Sequence, residues 1–144
     1  MSHDCNAIPN MIKLFDKYDF IVGSRYSNGI NVVNWPLRRL FLSYFANSYA
    51  RFITGLKIKD LTAGFNCFKI DVIKNIKYKK ITSEGYAFQI ELKFLAYNNG
   101  HSICEFPIIF HDRTVGQSKM SNQIIFEAIF KVINLKLKKI FKIL

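Results

Sequence analysis

The sequence has few cysteines and no closely spaced pair of them. Its three cysteines, Cys5, Cys67 and Cys104, are odd in number and far apart, and none belongs to a C-x-x-C motif. A disulfide framework uses an even set of cysteines, and a structural zinc site uses closely spaced ones. We therefore expect neither a disulfide framework nor a zinc site, and we expect a reduced, cytoplasmic setting.

Long hydrophobic runs are also missing. No apolar stretch approaches the roughly 20 residues that a transmembrane helix needs. No hydrophobic signal segment is visible at the amino terminus. We expect any association with a membrane to be peripheral, on its inner face, or to depend on a partner.

Acidic residues are scarce, with 10 Asp and Glu against 21 Lys and Arg and a net charge of +11. Such a balance indicates an anionic partner, which could be nucleic acid, an acidic membrane surface or a phosphorylated substrate. We do not expect nucleic acid, because no recognition motif is present. The basic residues also accompany large aliphatic side chains rather than exposed aromatic ones.

The hydrophobic pattern predicts an α/β fold. Half of the 144 residues are hydrophobic, enough for the core of one domain. Strands are predicted at 19–23, 63–70 and 102–110. Helices are predicted at 7–18, 36–54, 71–76 and 85–98, and this alternation is typical of α/β proteins.

Single residues refine these elements. Pro36 and Gly55 predict the start and end of one helix, and Asp71 is expected to cap another. Pro107 indicates an edge or bulged position within its strand. Arg25 follows the strand that ends at Gly23, at the carboxyl end where α/β sheets usually place ligand groups.

A last helix is predicted from about residue 121 to the end. At 100° per residue, its large apolar side chains share an arc of roughly 120° and its lysines lie opposite. The arc consists of Phe126, Ile129, Phe130, Ile133, Leu137, Ile140, Phe141 and Leu144. We expect a basic amphipathic helix over residues 121–144 at a membrane interface, attached to a domain over residues 1–120. Packing on its own domain is the alternative, and residues 37–53 are a second membrane candidate.

The segment HDRTVGQSKM, residues 111–120, collects donors and positive charge. Arg113, Ser118 and Lys119 lie within a few residues of the flexible Gly116. A guanidinium forks around phosphate oxygens, and an ammonium adds a point charge. The segment therefore indicates a phosphate site, although a solvated turn has the same composition.

Four further segments occur in a fixed order with this one. They are Gly23-Ser24-Arg25-Tyr26, Asn34-Trp35-Pro36-Leu37-Arg38-Arg39, Asp60-Leu61-Thr62-Ala63-Gly64-Phe65 and Ser83-Glu84-Gly85-Tyr86-Ala87-Phe88-Gln89-Ile90-Glu91. Together the five resemble the polyprenol-phosphate mannosyltransferases of glycosyltransferase family 2, also called dolichol-phosphate mannose synthases. The resemblance runs from Ser2 to about Asn134, which is nearly the whole chain.

The resemblance implies the acceptor-side half of a GT-A fold. The family's metal-binding Asp-Ala-Asp would precede Ser2-His3, but both aspartates are absent here, as is the nucleotide-binding half. In the complete enzyme, Mg²⁺ or Mn²⁺ is expected to act with GDP-mannose. Ser2 is at most one member of that metal shell. We expect no metal and no transferase activity from this chain alone.

The resemblance also assigns roles to individual residues. Asp60, Arg113 and Lys119 are expected in the catalytic centre. Arg25, Gln89, Glu91 and Ser118 are expected to bind or orient substrate. From the residues alone, Asp60 could equally be a turn aspartate that hydrogen-bonds its own backbone.

The function implied is transfer of mannose from GDP-mannose to a polyprenyl phosphate at a membrane surface. This chain would act as part of a longer enzyme or beside a separate N-terminal half. The alternative is a non-catalytic remnant that binds a membrane surface or a partner chain.

Overall fold

A computed structural model describes residues 3–76, 81, 83–112 and 122–141, with side chains in the last range from residue 128 onward. The helices are α1 (Ile8–Ile12, between short 3₁₀ turns Cys5–Ala7 and Lys13–Asp16), α2 (Leu37–Thr54), α3 (Ile70–Asn75), α4 (Gly85–Asn98) and α5 (Asn122–Ile140). The strands are β1 (Phe20–Ser24), β2 (Val32–Val33), β3 (Asn66–Phe68), β4 (Ile103–Pro107) and β5 (Phe110–His111). The predicted α/β class is confirmed.

Strand β1 is the centre of a three-stranded mixed sheet with the order β3-β1-β4. It pairs antiparallel with β3 and parallel with β4, so that Ile21 lies between Cys67 and Cys104. The two-residue strands β2 and β5 form a separate parallel pair. Pro107 is the last residue of β4, on the outer side of the described sheet, as its missing N–H requires.

Gly23 is needed where β1 meets the segment before β3. Its N–H donates to the carbonyl oxygen of Phe65 at 2.7 Å. A Cβ at position 23 would lie 2.6 Å from the Phe65 ring and 2.9 Å from that oxygen. Only glycine allows this approach, and it fixes the position of the two residues that follow, Ser24 and Arg25.

The helix boundaries follow local chemistry with one exception. Helix α2 begins after Pro36 and ends at Gly55, whose φ of 76° is left-handed, as predicted. The predicted cap of α3 is wrong, because Lys69 occupies the N-cap position. Asp71 lies inside the first turn instead, where a carboxylate still interacts favourably with the helix dipole.

The core lies where β1, α4 and α5 pack together. One buried cluster contains Phe20 and Val22 of β1, Phe94 of α4, and Val132 and Leu135 of α5. These two α5 residues lie outside the arc predicted from the helical wheel. The described residues of that arc from Phe130 onward are exposed. They are Phe130, Ile133, Leu137, Ile140 and Phe141.

Candidate functional site

A buried ion pair at the end of β1 forms the centre of the candidate site. Arg25 Nε donates to Asp60 Oδ2 at 2.7 Å, and Arg25 Nη2 donates to Asp60 Oδ1 at 2.6 Å. The backbone N–H of Arg25 also donates to Asp60 Oδ2 at 3.0 Å. This two-pronged geometry is the strong form of an Arg–carboxylate contact. Asp60 is completely buried, and the Arg25 side chain is 8% exposed.

The pair keeps Arg25 charged inside the protein. Burial alone lowers the pKa of Arg25, but the hydrogen bonds and negative charge of Asp60 outweigh it and raise that pKa above its ordinary value. Nη2 also donates to Thr62 Oγ1 at 2.8 Å. Among the described residues, no hydrogen-bond partner is found for Arg25 Nη1, so its two N–H groups are available to a ligand.

Neighbouring elements fix the turn that carries Asp60. Asn47 of α2 accepts from the backbone N–H of Thr62 at 3.0 Å and donates from Nδ2 to Thr62 Oγ1 at 3.1 Å. Glu105 of β4 accepts the backbone N–H groups of Asp60 and Lys59 at 3.0 and 2.8 Å. Bonds to both a helix and a strand therefore fix the backbone of the turn at and beside Asp60.

Aromatic rings surround the guanidinium of Arg25. The rings of Tyr26 and Trp35 each lie 5.3 Å from its Cζ, and that of Phe110 lies at 5.9 Å. Burial raises the pKa of Tyr26, whose neutral hydroxyl donates to Ser43 Oγ at 2.8 Å. Cation–π contacts of this kind stabilise a positive charge without neutralising it.

A second arginine joins this aromatic wall to the residue that precedes Arg113. Arg39 lies 4.1 Å above the ring of Trp35, and its Nη1 donates to Asp112 Oδ1 at 2.7 Å. The described chain therefore reaches position 112 beside Trp35. Arg113, Ser118 and Lys119 lie outside the described residues, and so does Ser2.

An apolar cavity of about 310 Å³ extends from Arg25 between three helices. Its lining includes the polar residues Arg25, Ser43 and Thr62, and most of the remaining wall is hydrophobic. That wall includes Leu42, Phe45 and Tyr49 from α2, Tyr86 and Ile90 from α4, and Ile129 and Val132 from α5. A cavity with one charged end and an apolar body suits an amphiphilic anion.

Gln89 and Glu91 point in different directions. Gln89 Oε1 accepts from Asn66 Nδ2 at 3.0 Å, and its amide faces Gly64 in the turn after Asp60. Glu91 is buried toward α5, where Ser83 donates to it and Lys131 Nζ lies 3.8 Å from its Oε2. Gln89 therefore lies beside the turn of the candidate site, whereas Glu91 joins α4 to α5.

The described residues do not fit a metal site. They contain no cluster of three or more His, Cys, Asp or Glu side chains able to hold an ion. Asp60, the carboxylate bonded to the cavity residue Arg25, already accepts from Arg25 and Thr62. Its oxygens are thus committed to hydrogen bonds.

The sequence analysis missed three residues of this site. They are Asn47, Glu105 and Lys93, which is completely buried and donates from Nζ to the carbonyl oxygen of Ala63 at 2.7 Å. The signal for Asn47 was present, four residues after Ser43 on the same helical face. No local pattern distinguishes Glu105 or Lys93 from ordinary surface charges.

Comparison with known proteins agrees with the five motifs. The chain is 49% identical over 114 residues to the polyprenol monophosphomannose synthase of Mycolicibacterium smegmatis, covering 79% of this chain and 43% of that protein. It is 36% identical over 131 residues to the undecaprenyl-phosphate mannosyltransferase of Micrococcus luteus, covering 91% and 54%. No protein-family model matches the chain.

Both relatives are named for mannose chemistry on a polyprenyl phosphate. The chain is a homologue of the polyprenyl-phosphate mannosyltransferases of glycosyltransferase family 2, which confirms the resemblance. It spans about half the length of the relatives it matches.

Proposed function

We propose that this chain supplies the lipid-acceptor side of an enzyme that transfers mannose from GDP-mannose to a polyprenyl phosphate. The observation that carries the proposal is the apolar cavity with Arg25 at one end, in a homologue of mannosyltransferases. The prenyl chain enters the hydrophobic part, and the phosphate lies against Arg25 Nη1. Asp60 orients Arg25 through its two-pronged contact.

The segment that carries Arg113, Ser118 and Lys119 supplies the other cations around the phosphate in this proposal. The support for this role is the position of Asp112, the residue before Arg113. Asp112 accepts a hydrogen bond from Arg39, which stacks on Trp35 of the cavity wall. Arg and Lys together offset the repulsion between the acceptor phosphate and the donor diphosphate. A phosphate monoester is already nucleophilic, so the step needs no strong base from this chain.

In this proposal, the donor site lies in another part of the enzyme. That part belongs either to a longer polypeptide that includes this chain or to a separate N-terminal half. GDP-mannose and Mg²⁺ or Mn²⁺ bind there in this proposal. Its support is that the chain covers about half the length of each relative. The chain itself acts by binding and orienting the acceptor.

A membrane surface is the proposed source of the acceptor. Helix α2 exposes Leu37, Phe41, Phe45 and Phe52, and α5 exposes the apolar side chains named above. The last turn of α5 adds two exposed lysines, Lys138 and Lys139. Apolar and basic side chains on two packed helices favour a peripheral position at an anionic surface, here the inner face.

The described helices include none long and apolar enough to cross a membrane.

Binding of farnesyl phosphate, a short soluble prenyl phosphate, tests the acceptor site. We expect the chain to bind it more tightly than farnesol or inorganic phosphate, because the cavity recognises both parts. Ala46→Phe fills the cavity and should weaken binding at least tenfold. Ser48→Phe adds the same ring at an exposed position of α2 and is the matched control. Equal binding by Ala46→Phe and the wild type would contradict the proposal.

Transfer itself is tested by adding the nucleotide-binding half of a relative, fused or as a separate chain. We expect lipid-linked mannose from the combination and none from residues 1–144 alone. If the chain binds prenyl phosphate but the combination makes no product, the non-catalytic alternative is favoured.

A further inference from the structure

One charged group near the candidate site has no part in the function proposed above. Lys93 is in the middle of α4, and its side chain is one of the largest that are fully buried. Its Nζ donates to the carbonyl oxygen of Ala63 at 2.7 Å and lies 3.4 Å from the carbonyl oxygen of Gln89. No carboxylate of the described residues forms an ion pair with it within 4.0 Å. A lysine buried without such a partner is rare, because burying an unpaired charge is costly.

The carbonyl that Lys93 holds belongs to the turn that carries Asp60. Ala63 is the residue after Thr62, and both Asp60 and Thr62 contact the guanidinium of Arg25. Asn47 holds the turn at Thr62, and Glu105 holds it at Asp60. Lys93 is the third fixed point, from the α4 side. A short chain of bonds therefore connects Lys93 Nζ to Arg25.

We propose that Lys93 is a positioning residue of this site: its buried ammonium, bonded to Ala63, holds the Asp60–Gly64 turn in the shape that presents Arg25 to an anionic ligand. The anion is a prenyl phosphate or another phosphate monoester, so this inference rests on the proposed function. Lys93 contacts neither the ligand nor the reacting atoms.

The charge of Lys93 makes this role sensitive to pH. Burial lowers the pKa of Lys93 to about 7, and the negative charge of Asp60 opposes that shift. The charged groups that act on it from neighbouring elements are Asp60, Arg25 and Glu105. Protonation adds a positive charge behind Arg25 and strengthens the bond to the Ala63 carbonyl. Deprotonation removes that charge and weakens the bond, since a neutral amine is a poorer donor.

Two variants separate the charge of Lys93 from its bulk. Lys93→Met keeps an unbranched chain of similar length but has neither donor nor charge. Lys93→Arg keeps both and does not titrate in the accessible range. Lys57→Met is the matched control, because Lys57 is exposed.

The first measurement needs no ligand. NMR of the wild-type chain between pH 6 and 9 should show one lysine side-chain resonance with a midpoint near pH 7, absent from Lys93→Met. The backbone amides of Thr62 and Ala63 and the Arg25 Nε–H should shift with the same midpoint. Signals of the turn that do not follow the lysine titration would overturn the proposal, even if Lys93→Met does not fold.

The second measurement uses farnesyl sulfate, an anionic probe whose own charge is constant over this range. The wild type and Lys57→Met should bind it several-fold more weakly at pH 8.5 than at pH 6. Lys93→Met should bind weakly at both pH values, and Lys93→Arg should lose the pH dependence while retaining the tighter binding. Wild-type pH dependence in Lys93→Met would overturn the proposal.

The two measurements also separate this inference from the proposed function. If no form of the protein binds prenyl phosphate or prenyl sulfate, the acceptor site is wrong. The NMR titration then still decides whether Lys93 controls the geometry of the turn.

Discussion

The buried ion pair and the outer faces of α2 and α5 differ in whether their side chains have partners within the described chain. In the ion pair, Asp60 is completely buried and hydrogen-bonded to Arg25 and Thr62. On the outer faces of the two helices, Phe52 of α2 is 86% exposed and Phe130 of α5 is 70% exposed. Internal bonds fix the shape of the first region, whereas no described residue covers these side chains of the second. The chain therefore combines a rigid polar site with an uncovered apolar exterior.

The largest expected effect comes from breaking the buried ion pair. Asp60→Asn leaves Arg25 buried without its counter-charge and should lower the free energy of unfolding by about 3–5 kcal/mol. Urea unfolding measures it. Lys69→Met breaks the more exposed Lys69–Asp19 pair and should cost less than about 1 kcal/mol. The double variant Arg25→Met/Asp60→Leu should be more stable than Asp60→Asn, and a less stable double variant would contradict this account.

The stability of the chain should also rise with pH because of Lys93. Its pKa is about 7 when folded, against an ordinary value of 10.5, so between these values the unfolded chain binds more protons. This contribution should increase the free energy of unfolding from pH 7 toward 10.5, by on the order of a few kcal/mol in total. The measurement is the urea midpoint of the wild type and Lys93→Met at several pH values. If the urea midpoints of both proteins rise equally with pH, the buried lysine does not cause the pH dependence of stability.

In a complete enzyme, Arg113→Ala and Lys119→Ala should each reduce mannosyl transfer about tenfold to a hundredfold. Losing one charge-assisted contact to phosphate costs on the order of 1.5–3 kcal/mol in the transition state. Steady-state transfer rates measure it, and thermal unfolding should remain unchanged. Lys57→Ala is the control for a lost surface charge. Normal turnover in both variants would remove the two residues from the site.

The smallest expected effect concerns the exposed face of α5. Lys138→Gln should weaken binding to anionic vesicles by about fivefold, because each lysine near such a surface contributes on the order of 1 kcal/mol. Co-sedimentation at two salt concentrations measures it, and higher salt should reduce the difference. Lys57→Gln is the control. Removing residues 121–144 altogether is a poor test, because Val132 and Leu135 belong to the core. Salt-independent binding would contradict the electrostatic part of the proposal.

Local signals predicted the helices that frame the site. Pro36 and Gly55 bound α2, and the apolar spacing predicted α4 over the residues where it occurs. Strand β2 was not predicted, because a pattern of period two needs more than its two residues. The predicted strand 102–110 is divided into β4 and β5, and β5 begins at Phe110. Strand β3 is shorter than predicted, since only residues 66–68 pair with β1.

The site was predicted less completely than the helices. Arg25 at the end of a strand and Asp60 in a turn were both identified, but their contact joins positions 35 apart. Such a pairing depends on how the sheet brings distant segments together, which no local pattern encodes. Lys93 shows the same limit, because its partner is a backbone carbonyl 30 positions away. In α5, the wheel predicted an amphipathic helix, but the shapes of α2 and α4 decide that Val132 and Leu135 are buried.

The position of β1 in the sheet has a consequence for the order of folding. Its partners come from far along the chain: Asp19, at its start, bonds to Ser102, 83 positions away. Helices α2 and α4 need only local contacts, whereas the sheet needs long loops to close, and such closures are slow. Arg25 and Asp60 can meet only after β1 has found its neighbours. Before the pair forms, an anion that needs it has nothing to bind, and we expect such an anion to slow unfolding rather than to speed folding.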